Sequence, residues 1–395
     1  MVLLAYAQPQ PSAETALLGR IRAKAAENLK HLPDYTCTET IERSYGRQYA
    51  KKFEVLDRVR LEVAYVGGRE LFGWPGASKI NEPEINKLVA GGTVGNGDFA
   101  LVPRDIFLSP STTFQYVGDT DLEGKRVIRY DYRVRPPLGG YRILTASGEA
   151  IVGYHGSVLV DPGTLDVKRL ELSADDIPRE LRLASATDTM DYSRVSIGTS
   201  TSLLPAGSEL IMIAADGNTN RNRTIFRTCH QFTGESIIKF DEPIFEPAAV
   251  STTPAMASVA LPDDFTADLN LETPIDSDSA AVGDSIRATL QNSIKSSRTI
   301  VVPKGAVLTG HISILQRRGN LYLLDLAFAS LDSDNGHADL SGRQNKVAVT
   351  SLNLQATSTS AGTVFRVSHL KLAPGVRLVL YSRLLKFKEH DSVRP

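Results

Sequence analysis

The sequence has 395 residues, of which 42% are hydrophobic, and a formal net charge of −1. A chain of this length and apolar content exceeds one ordinary domain, so we expect two or three domains. The near-zero charge provides no electrostatic basis for binding DNA or RNA, which excludes nucleic acid as a partner. No run approaches the roughly 18 apolar residues of a membrane-spanning helix, so we expect no transmembrane segment.

The first residues are typical of the end of a secretory signal peptide. Ala5 and Ala7 form the small-x-small pattern that signal peptidase cleaves, and a polar segment follows from Gln8. We therefore expect residues 1–7 to be a signal-peptide remnant and the mature protein to be periplasmic. Secretion to the cell exterior is the alternative. Since Gln8 is not a cysteine, a lipid-anchored lipoprotein is not expected.

Residues 12–32 form the clearest predicted helix, in which Ser12 is the expected N-cap and Pro33 ends the helix. Apolar side chains recur there at spacings of three and four: Leu18, Ile21, Ala25, Leu29 and Leu32.

After this helix, apolar and polar residues alternate, for example over residues 59–65 and 128–134. This alternation indicates strands with one solvent-exposed face. Short turns join these runs, so we predict one large curved antiparallel sheet of about nine or ten strands, ending near Phe232. Short helices are predicted over residues 83–88 and 104–108.

Export affects the interpretation of the only two cysteines in the sequence, Cys37 and Cys229. In an oxidising compartment such a pair favours a disulfide over a metal or redox site. Cys37 lies on the first predicted strand and Cys229 on the last strong strand of the first domain, so their bond would pin the two ends of an open sheet. Two unpaired buried thiols are the alternative.

Four prolines among Ala, Ser and Thr mark residues 241–265 as an extended linker. Beyond it, seven short strand-like runs separated by glycine turns predict a small all-β barrel or sandwich over residues 266–395. The expected fold is thus mostly β. A helix and an unclosed barrel occupy residues 8–240, and a second small β domain follows the linker.

Residues 156–172 read GSVLVDPGTLDVKRLEL: a strand ending at Asp161, a turn, and a strand with an Arg-Leu-x-Leu run. This hairpin, together with one amphipathic helix before a long meander, resembles the LolA/LolB lipoprotein-carrier family over residues 12–240. The resemblance implies an unclosed barrel around a helix-lined apolar cavity. Residues 300–310, IVVPKGAVLTG, are similar to a hairpin of the TrbI-like secretion-channel barrel, which implies a barrel for the C-terminal part.

Four side chains are candidate ligand contacts at the rim of such a cavity. Phe72 and Trp74 lie in a turn-rich segment after a strand, and Phe99 and Leu101 follow a glycine-rich loop at residues 92–97 that could gate the mouth. The alternative is that these aromatic side chains fill the core beneath a loop.

No motif supports catalysis. Residues 283–285 and 334–337 resemble two blocks of SGNH hydrolases, but the stretch between them is short and β-patterned rather than alternating strands and helices. The seven histidines show no zinc-ligand spacing. Arg129, Arg133 and Arg135 form a basic strand face, which is either solvated or recognises an anionic group. We expect no catalytic residue, no metal and no cofactor.

The sequence therefore predicts a non-catalytic periplasmic binding protein that carries or senses a lipid, acyl or other apolar ligand in a half-barrel cavity. The C-terminal barrel would dock to an envelope protein. The alternative is a structural or assembly protein of the cell envelope that acts through protein–protein contacts. An empty apolar cavity in the first domain would favour the carrier, and a packed core would favour the alternative.

Overall fold

The structure is a computed structural model that describes residues 12–47, 52–77, 80–89, 102–136, 140–232, 258–350 and 356–385. The chain divides into two compact units. The first comprises residues 1–55, 62–73 and 79–233, and the second comprises residues 56–61, 74–78 and 234–395. The signal-peptide remnant and most of the predicted linker lie outside the described residues, and the predicted domain boundaries stay predictions.

The first unit contains three described α-helices: α1 (Ala13–Lys30), α2 (Ile85–Leu88) and α3 (Val102–Phe107). Helix α1 confirms the helix predicted over residues 12–32. Its N-cap is Ser12, whose hydroxyl accepts a hydrogen bond from the Thr15 amide at 3.3 Å.

The strands of the first unit alternate between buried and exposed residues. They are β1 (Tyr35–Gly46), β2 (Glu54–Val66), β3 (Arg69–Gly73), β4 (Thr112–Leu122), β5 (Lys125–Val134), β6 (Tyr141–Thr145), β7 (Gly148–Val152), β8 (Tyr154–Val160), β9 (Val167–Ala174), β10 (Leu183–Ile197), β11 (Ser200–Ala214) and β12 (Thr219–Gln231). Ten of them form one sheet in the order β3-β2-β1-β12-β11-β10-β9-β8-β5-β4, and β6 and β7 form a separate hairpin. The prediction of a mostly β fold with one large curved sheet is confirmed.

One face of this sheet, here called the inner face, carries the core. A single row of paired residues crosses it from β1 to β5: Ile41, Thr224, Ser208, Met190, Leu170, Val158 and Tyr130. Helix α1 packs against this face, because its buried Ile21 and Ala25 belong to the same hydrophobic cluster as Met190, Leu170 and Tyr130.

Strands β8 and β9 approach closely at Gly156. A Cβ atom at this position would collide with the backbone carbonyl of Glu171 on β9, so only glycine fits. This glycine begins the hairpin of residues 156–172, the segment whose sequence resembles the LolA/LolB family.

The predicted disulfide is present, between Cys37 on β1 and Cys229 on β12, with Cα atoms 4.1 Å apart. It lies at a bulge where the pairing register shifts between Thr36 and Thr38. The expectation that it pins the two ends of an open sheet is wrong, because β1 and β12 are neighbours inside the sheet and its edges are β3 and β4.

The second unit is built from short antiparallel strands. They are β13 (Asp264–Leu271), β14 (Ile275–Asp276), β15 (Ser285–Leu290), β16 (Ile294–Ser296), β17 (Thr299–Val302), β18 (Val307–Arg318), β19 (Leu321–Ser333), β20 (Gly336–Asp339), β21 (Arg343–Val349), β22 (Ala356–Thr359), β23 (Gly362–Arg366), β24 (Lys371–Leu372) and β25 (Arg377–Leu384). The main sheet has the order β21-β25-β13-β15-β18-β19-β23-β22, and β20 pairs with β19. The Val349 amide on β21 donates to the Thr363 hydroxyl on β23 at 3.3 Å. The sheet thereby nearly closes, which confirms the predicted small β-barrel.

Within the described ranges, no helix has the length and apolar character required to cross a membrane.

We expect reduction of the disulfide to destabilise the first unit. The cysteines are 192 residues apart. In the chain-entropy model a crosslink closing such a loop contributes about 5 kcal/mol. The urea midpoint, followed by circular dichroism with and without a reductant, should fall on reduction. A Cys37→Ala/Cys229→Ala variant should be insensitive to the reductant, and an unchanged wild-type midpoint would contradict the prediction.

Candidate functional site

An apolar crevice lies under the C-terminal half of α1, within the first unit. Its volume is about 20 Å3, which is room for about one water molecule. Its walls are formed by Ala25, Asn28, Leu29, Leu32, Pro103, Leu165, Val167, Tyr192 and Leu203. Because α1 supplies much of this wall, the position of α1 determines the size of the crevice.

Backbone carbonyls anchor α1 at its N-terminal half. The Arg22 Nε atom donates to the Phe107 carbonyl of α3 at 2.7 Å. The Tyr130 hydroxyl of β5 donates to the Glu14 carbonyl of α1 at 2.9 Å. Both contacts can be broken without leaving a buried charge, because Arg22 is only part-buried and the other partners are neutral.

A second polar contact, here called the latch, joins α1 to the sheet beside the crevice. Arg194 makes two hydrogen bonds of 2.7 Å to the buried Asp166 carboxylate, and it also donates to the Asn28 side-chain oxygen of α1 at 3.3 Å. Burial raises the pKa of Asp166, but the hydrogen bonds and charge of Arg194 outweigh burial, so this pKa lies below its ordinary value. Asp166 is therefore an ionised and fully partnered carboxylate.

Aromatic rings form a continuous wall beside α1. Phe107 stacks on Phe114 at 5.8 Å between ring centroids, and Phe114 contacts Tyr132 at 6.3 Å. Tyr132 then meets Tyr154 at 6.1 Å, and Tyr154 meets Tyr141 at 6.4 Å. Burial raises the pKa of all three phenols, so they are neutral at ordinary pH. The wall offers apolar ring faces of the kind that line ligand sites.

Carboxyl groups also lie within this apolar interior. Glu39 is 0% exposed, and neither of its carboxyl oxygens has a hydrogen-bond partner among the described residues; the same holds for one oxygen of Asp188. Burial raises the pKa of Glu39 to about 8, with the charge of Glu70 adding to the effect. Burial raises the pKa of Asp188 to about 7. Glu39 and Glu70, which interact electrostatically, are called the acidic cluster below.

Tyr192 connects this cluster to the crevice. Burial is the main cause of its raised pKa, and the charges of Glu70 and Asp188 add to it. Glu70 lies on β3 and Asp188 on β10, with four strands between them in the sheet. The curvature of the sheet therefore brings both carboxyl groups within electrostatic reach of Tyr192, which also lines the crevice.

Of the predicted rim residues, Phe72 and Trp74 lie away from the crevice. Phe72 is 2% exposed on β3 of the first unit, with its backbone paired to Glu82. Trp74 belongs to the second unit, where its ring stacks on His311 at 4.5 Å and burial lowers the pKa of this histidine to about 4. Neither residue lines the crevice under α1. Phe99 and Leu101 lie outside the described residues, so all four stay predictions as ligand contacts.

The basic face predicted on β5 lines an open polar groove of about 630 Å3. Two of its three arginines, Arg129 and Arg133, have acidic neighbours. Arg129 pairs with Asp131 at 2.8 Å, and Asp175 accepts from His155 at 2.6 Å while lying 3.8 Å from Arg133. This arrangement favours a solvated sheet face over an anion site.

One described group of side chains in the second unit has metal-ligand composition: Asp276, Asp278 and His369. However, Asp276 already has two partners, the His369 ring at 2.7 Å and the Lys371 ammonium at 3.6 Å. These contacts satisfy the carboxylate without an ion.

The crevice, the latch and the acidic cluster were not identified from the sequence. A signal for Glu39 was available, since it alternates in phase with the buried Cys37 and Ile41 on β1. The latch had no local signal, because its three residues come from separate elements.

The fold and site define a half-barrel whose inner face is covered by one helix and contains aromatic and carboxyl groups. No family model matches the sequence, and no curated protein matches it either. The fold is similar to that of a putative outer membrane lipoprotein-sorting protein domain from Vibrio parahaemolyticus, with 12% identity and a TM-score of 0.30 over 55% of this chain and 93% of that one.

Two further solved structures are similar. One is a LolA superfamily protein from Nitrosomonas europaea, with 11% identity and a TM-score of 0.28 over 54% of this chain and 93% of that one. The other is a DUF1329 family protein from Desulfovibrio piger, with 12% identity and a TM-score of 0.28 over 55% and 95%. The LolA resemblance noted in the sequence thus also emerges from comparison of structures. Scores this low carry no argument about function, and the TrbI-like resemblance stays a prediction.

We expect the stability of the protein to depend on pH through Glu39. The pKa of this group is about 8 in the folded protein, against 4.5 ordinarily. The folded state therefore binds more protons between these values, and stability falls as pH rises from about 4.5 through 8, by on the order of 5 kcal/mol in full.

The Glu39→Gln variant should lose this contribution, so its thermal unfolding midpoint should decline less than that of wild type between pH 5 and pH 9. Glu180→Gln, at an exposed position, is the matched control and should follow wild type. Parallel declines of wild type and Glu39→Gln would contradict the assignment.

Proposed function

We propose that the first unit is a non-catalytic binding module for an apolar or amphiphilic ligand, whose chain lies under α1 against the aromatic wall. The observation that carries this proposal is the apolar crevice that α1 covers beside the latch. Its walls are aliphatic side chains, and its end at Tyr192 leads toward the interior.

The crevice volume of about 20 Å3 is too small for an acyl chain, so binding requires α1 to move away from the sheet. The contacts that hold α1 are two hydrogen bonds to carbonyls and the latch. A buried chain contributes about 0.8 kcal/mol per methylene. A chain of about ten methylenes would therefore contribute on the order of 8 kcal/mol against the contacts that α1 gives up when it moves.

Periplasmic export forms part of the proposal. A disulfide between Cys37 and Cys229 fits an oxidising compartment. The signal-peptide pattern at residues 1–7 points the same way. The second unit would provide the surface for an envelope partner, and its exposed Ile300 and Tyr381 are apolar side chains available for such contacts.

The alternative is a structural or assembly protein of the envelope. One observation favours it: the interior beneath α1 is closely packed, with Ile21 and Ala25 inserted among the side chains of the sheet. A protein of this kind would bind partners on its surface and take no chain under α1.

Leu29→Glu should weaken binding of an apolar probe, because it places a charge in the crevice wall. Leu29 is half-buried and lines the crevice, so the charge can be solvated when no ligand is bound. The measurement is fluorescence titration with N-phenylnaphthylamine, with an expected loss of affinity of about tenfold or more.

Leu144→Glu makes the same chemical change at a position that is 41% exposed on β6, and it should bind the probe as wild type does. Equal binding by both variants would contradict the crevice as the site. A wild-type protein that binds no probe and copurifies with no lipid would favour the structural alternative.

A further inference from the structure

We propose that Glu39 binds the head group of the ligand that enters under α1. This head group is neutral and carries a hydrogen-bond donor beside an acceptor, as a primary carboxamide or a protonated carboxylic acid does. The inference rests on the proposed function, because a head group reaches the interior only on a chain that has displaced α1.

The surroundings of Glu39 are apolar. Its side chain lies on the inner face of β1, in phase with the buried Cys37 and Ile41. Phe226 of β12 lies directly opposite in the ladder. Glu39 is fully buried, and neither of its carboxyl oxygens has a hydrogen-bond partner among the described residues. Folded proteins leave few buried polar groups in this state, so this carboxyl group is a candidate for contact with a ligand.

Phe226 connects Glu39 to the space under α1. It packs against the hydrophobic cluster that contains Ile21 and Ala25 of α1. Leu203, which lines the crevice, packs against the same cluster. A chain that enters beside Leu203 and displaces α1 therefore follows this cluster to Phe226. Its end then lies beside Glu39, on the neighbouring strand.

Burial without a cation keeps Glu39 neutral. A buried carboxylate needs a charged or hydrogen-bonding partner, and without one the group keeps its proton instead. Arg43 shares this face of β1, but it makes no hydrogen bond to Glu39 and has interactions of its own. Burial, with the charge of Glu70 on β3 adding to it, raises the pKa of Glu39 to about 8, which agrees with a neutral group at pH 7.

The neutral carboxyl group determines which head group fits. It offers an O–H donor and a carbonyl acceptor side by side, and both oxygens of Glu39 are unpartnered. A primary carboxamide or a protonated carboxylic acid presents the complementary acceptor and donor, so it forms two parallel hydrogen bonds. An ester only accepts a hydrogen bond. An ionised head group would bring an unpaired charge into the interior, which is costly.

The test is displacement of N-phenylnaphthylamine from the full-length protein at pH 7 by decanamide and by methyl decanoate, each below its solubility limit. The measured quantity is the ratio of the two affinities, in which the contribution of the shared chain cancels. Glu39→Met removes both hydrogen-bonding atoms at similar volume and should lower this ratio about tenfold or more, as the loss of two neutral hydrogen bonds implies. Glu180→Met, at an exposed position, should leave the ratio unchanged.

Glu39→Gln provides the conservative variant. Its amide keeps a donor and an acceptor side by side, so the ratio should stay near that of wild type. A change of pH supplies a readout that needs no variant. At pH 9 the wild-type Glu39 is ionised and has lost its donor, so the ratio should fall, whereas Glu39→Gln should keep its ratio at both pH values.

Decanoic acid tests the second source of the same head-group chemistry. It should displace the probe better at pH 5, where more of it is protonated, than at pH 7, while decanamide should show no such change. Displacement by decanamide alone would restrict the head group to a carboxamide. Tighter binding of decanoic acid at pH 7 than at pH 5 would overturn the neutral head group.

The outcomes separate this inference from the function beneath it. If both ligands displace the probe and their ratio is unchanged in Glu39→Met, or in wild type at pH 9, Glu39 does not contact the head group and the proposed function still stands. If neither ligand displaces the probe, both proposals are overturned. A ratio in Glu39→Gln as low as that in Glu39→Met would overturn the paired hydrogen bonds.

Discussion

The pairing of β1 with β12 is the constraint on which the first unit depends. It joins Tyr35–Gly46 to Thr219–Gln231 in one antiparallel ladder, and the Cys37–Cys229 disulfide lies on this ladder. Since the two ends of the unit meet inside the sheet, the intervening strands extend outward from this seam, and the free edges fall at β3 and β4. A break at this seam would leave two smaller sheets with additional edges, which are prone to wrong pairing.

The pairing of β1 with β12 creates one continuous inner face, and this face must be covered because it carries the apolar core. Helix α1, with 18 residues, packs on part of it. The part of the row from Met190 to Tyr130 meets the helix and is apolar, while β1 and β10 contribute the carboxyl groups of Glu39 and Asp188. The inner face therefore combines an apolar wall with buried carboxyl groups on separate strands.

Individual helices and strands could be predicted from the sequence because each depends on the spacing of apolar residues within one short segment. Helix α1 follows a spacing of three and four, and the alternation at residues 128–134 predicts β5 correctly.

The placement of β12 beside β1 could not be predicted, since this pairing joins residues 192 positions apart at the disulfide. Burial of Glu39 follows from its phase on β1, but its proximity to Glu70 depends on sheet curvature. The latch, which joins Asn28 to Asp166 in the turn before β9 and to Arg194 on β10, also depends on the three-dimensional arrangement.

Two kinds of buried carboxyl group in one unit show why burial alone does not identify a site. Asp166 has two hydrogen bonds from Arg194, and its pKa is lowered, so its charge is balanced inside the protein and its role is to hold α1. Glu39 has no donor and a raised pKa. The same side-chain chemistry is thus satisfied at one position and unsatisfied at the other.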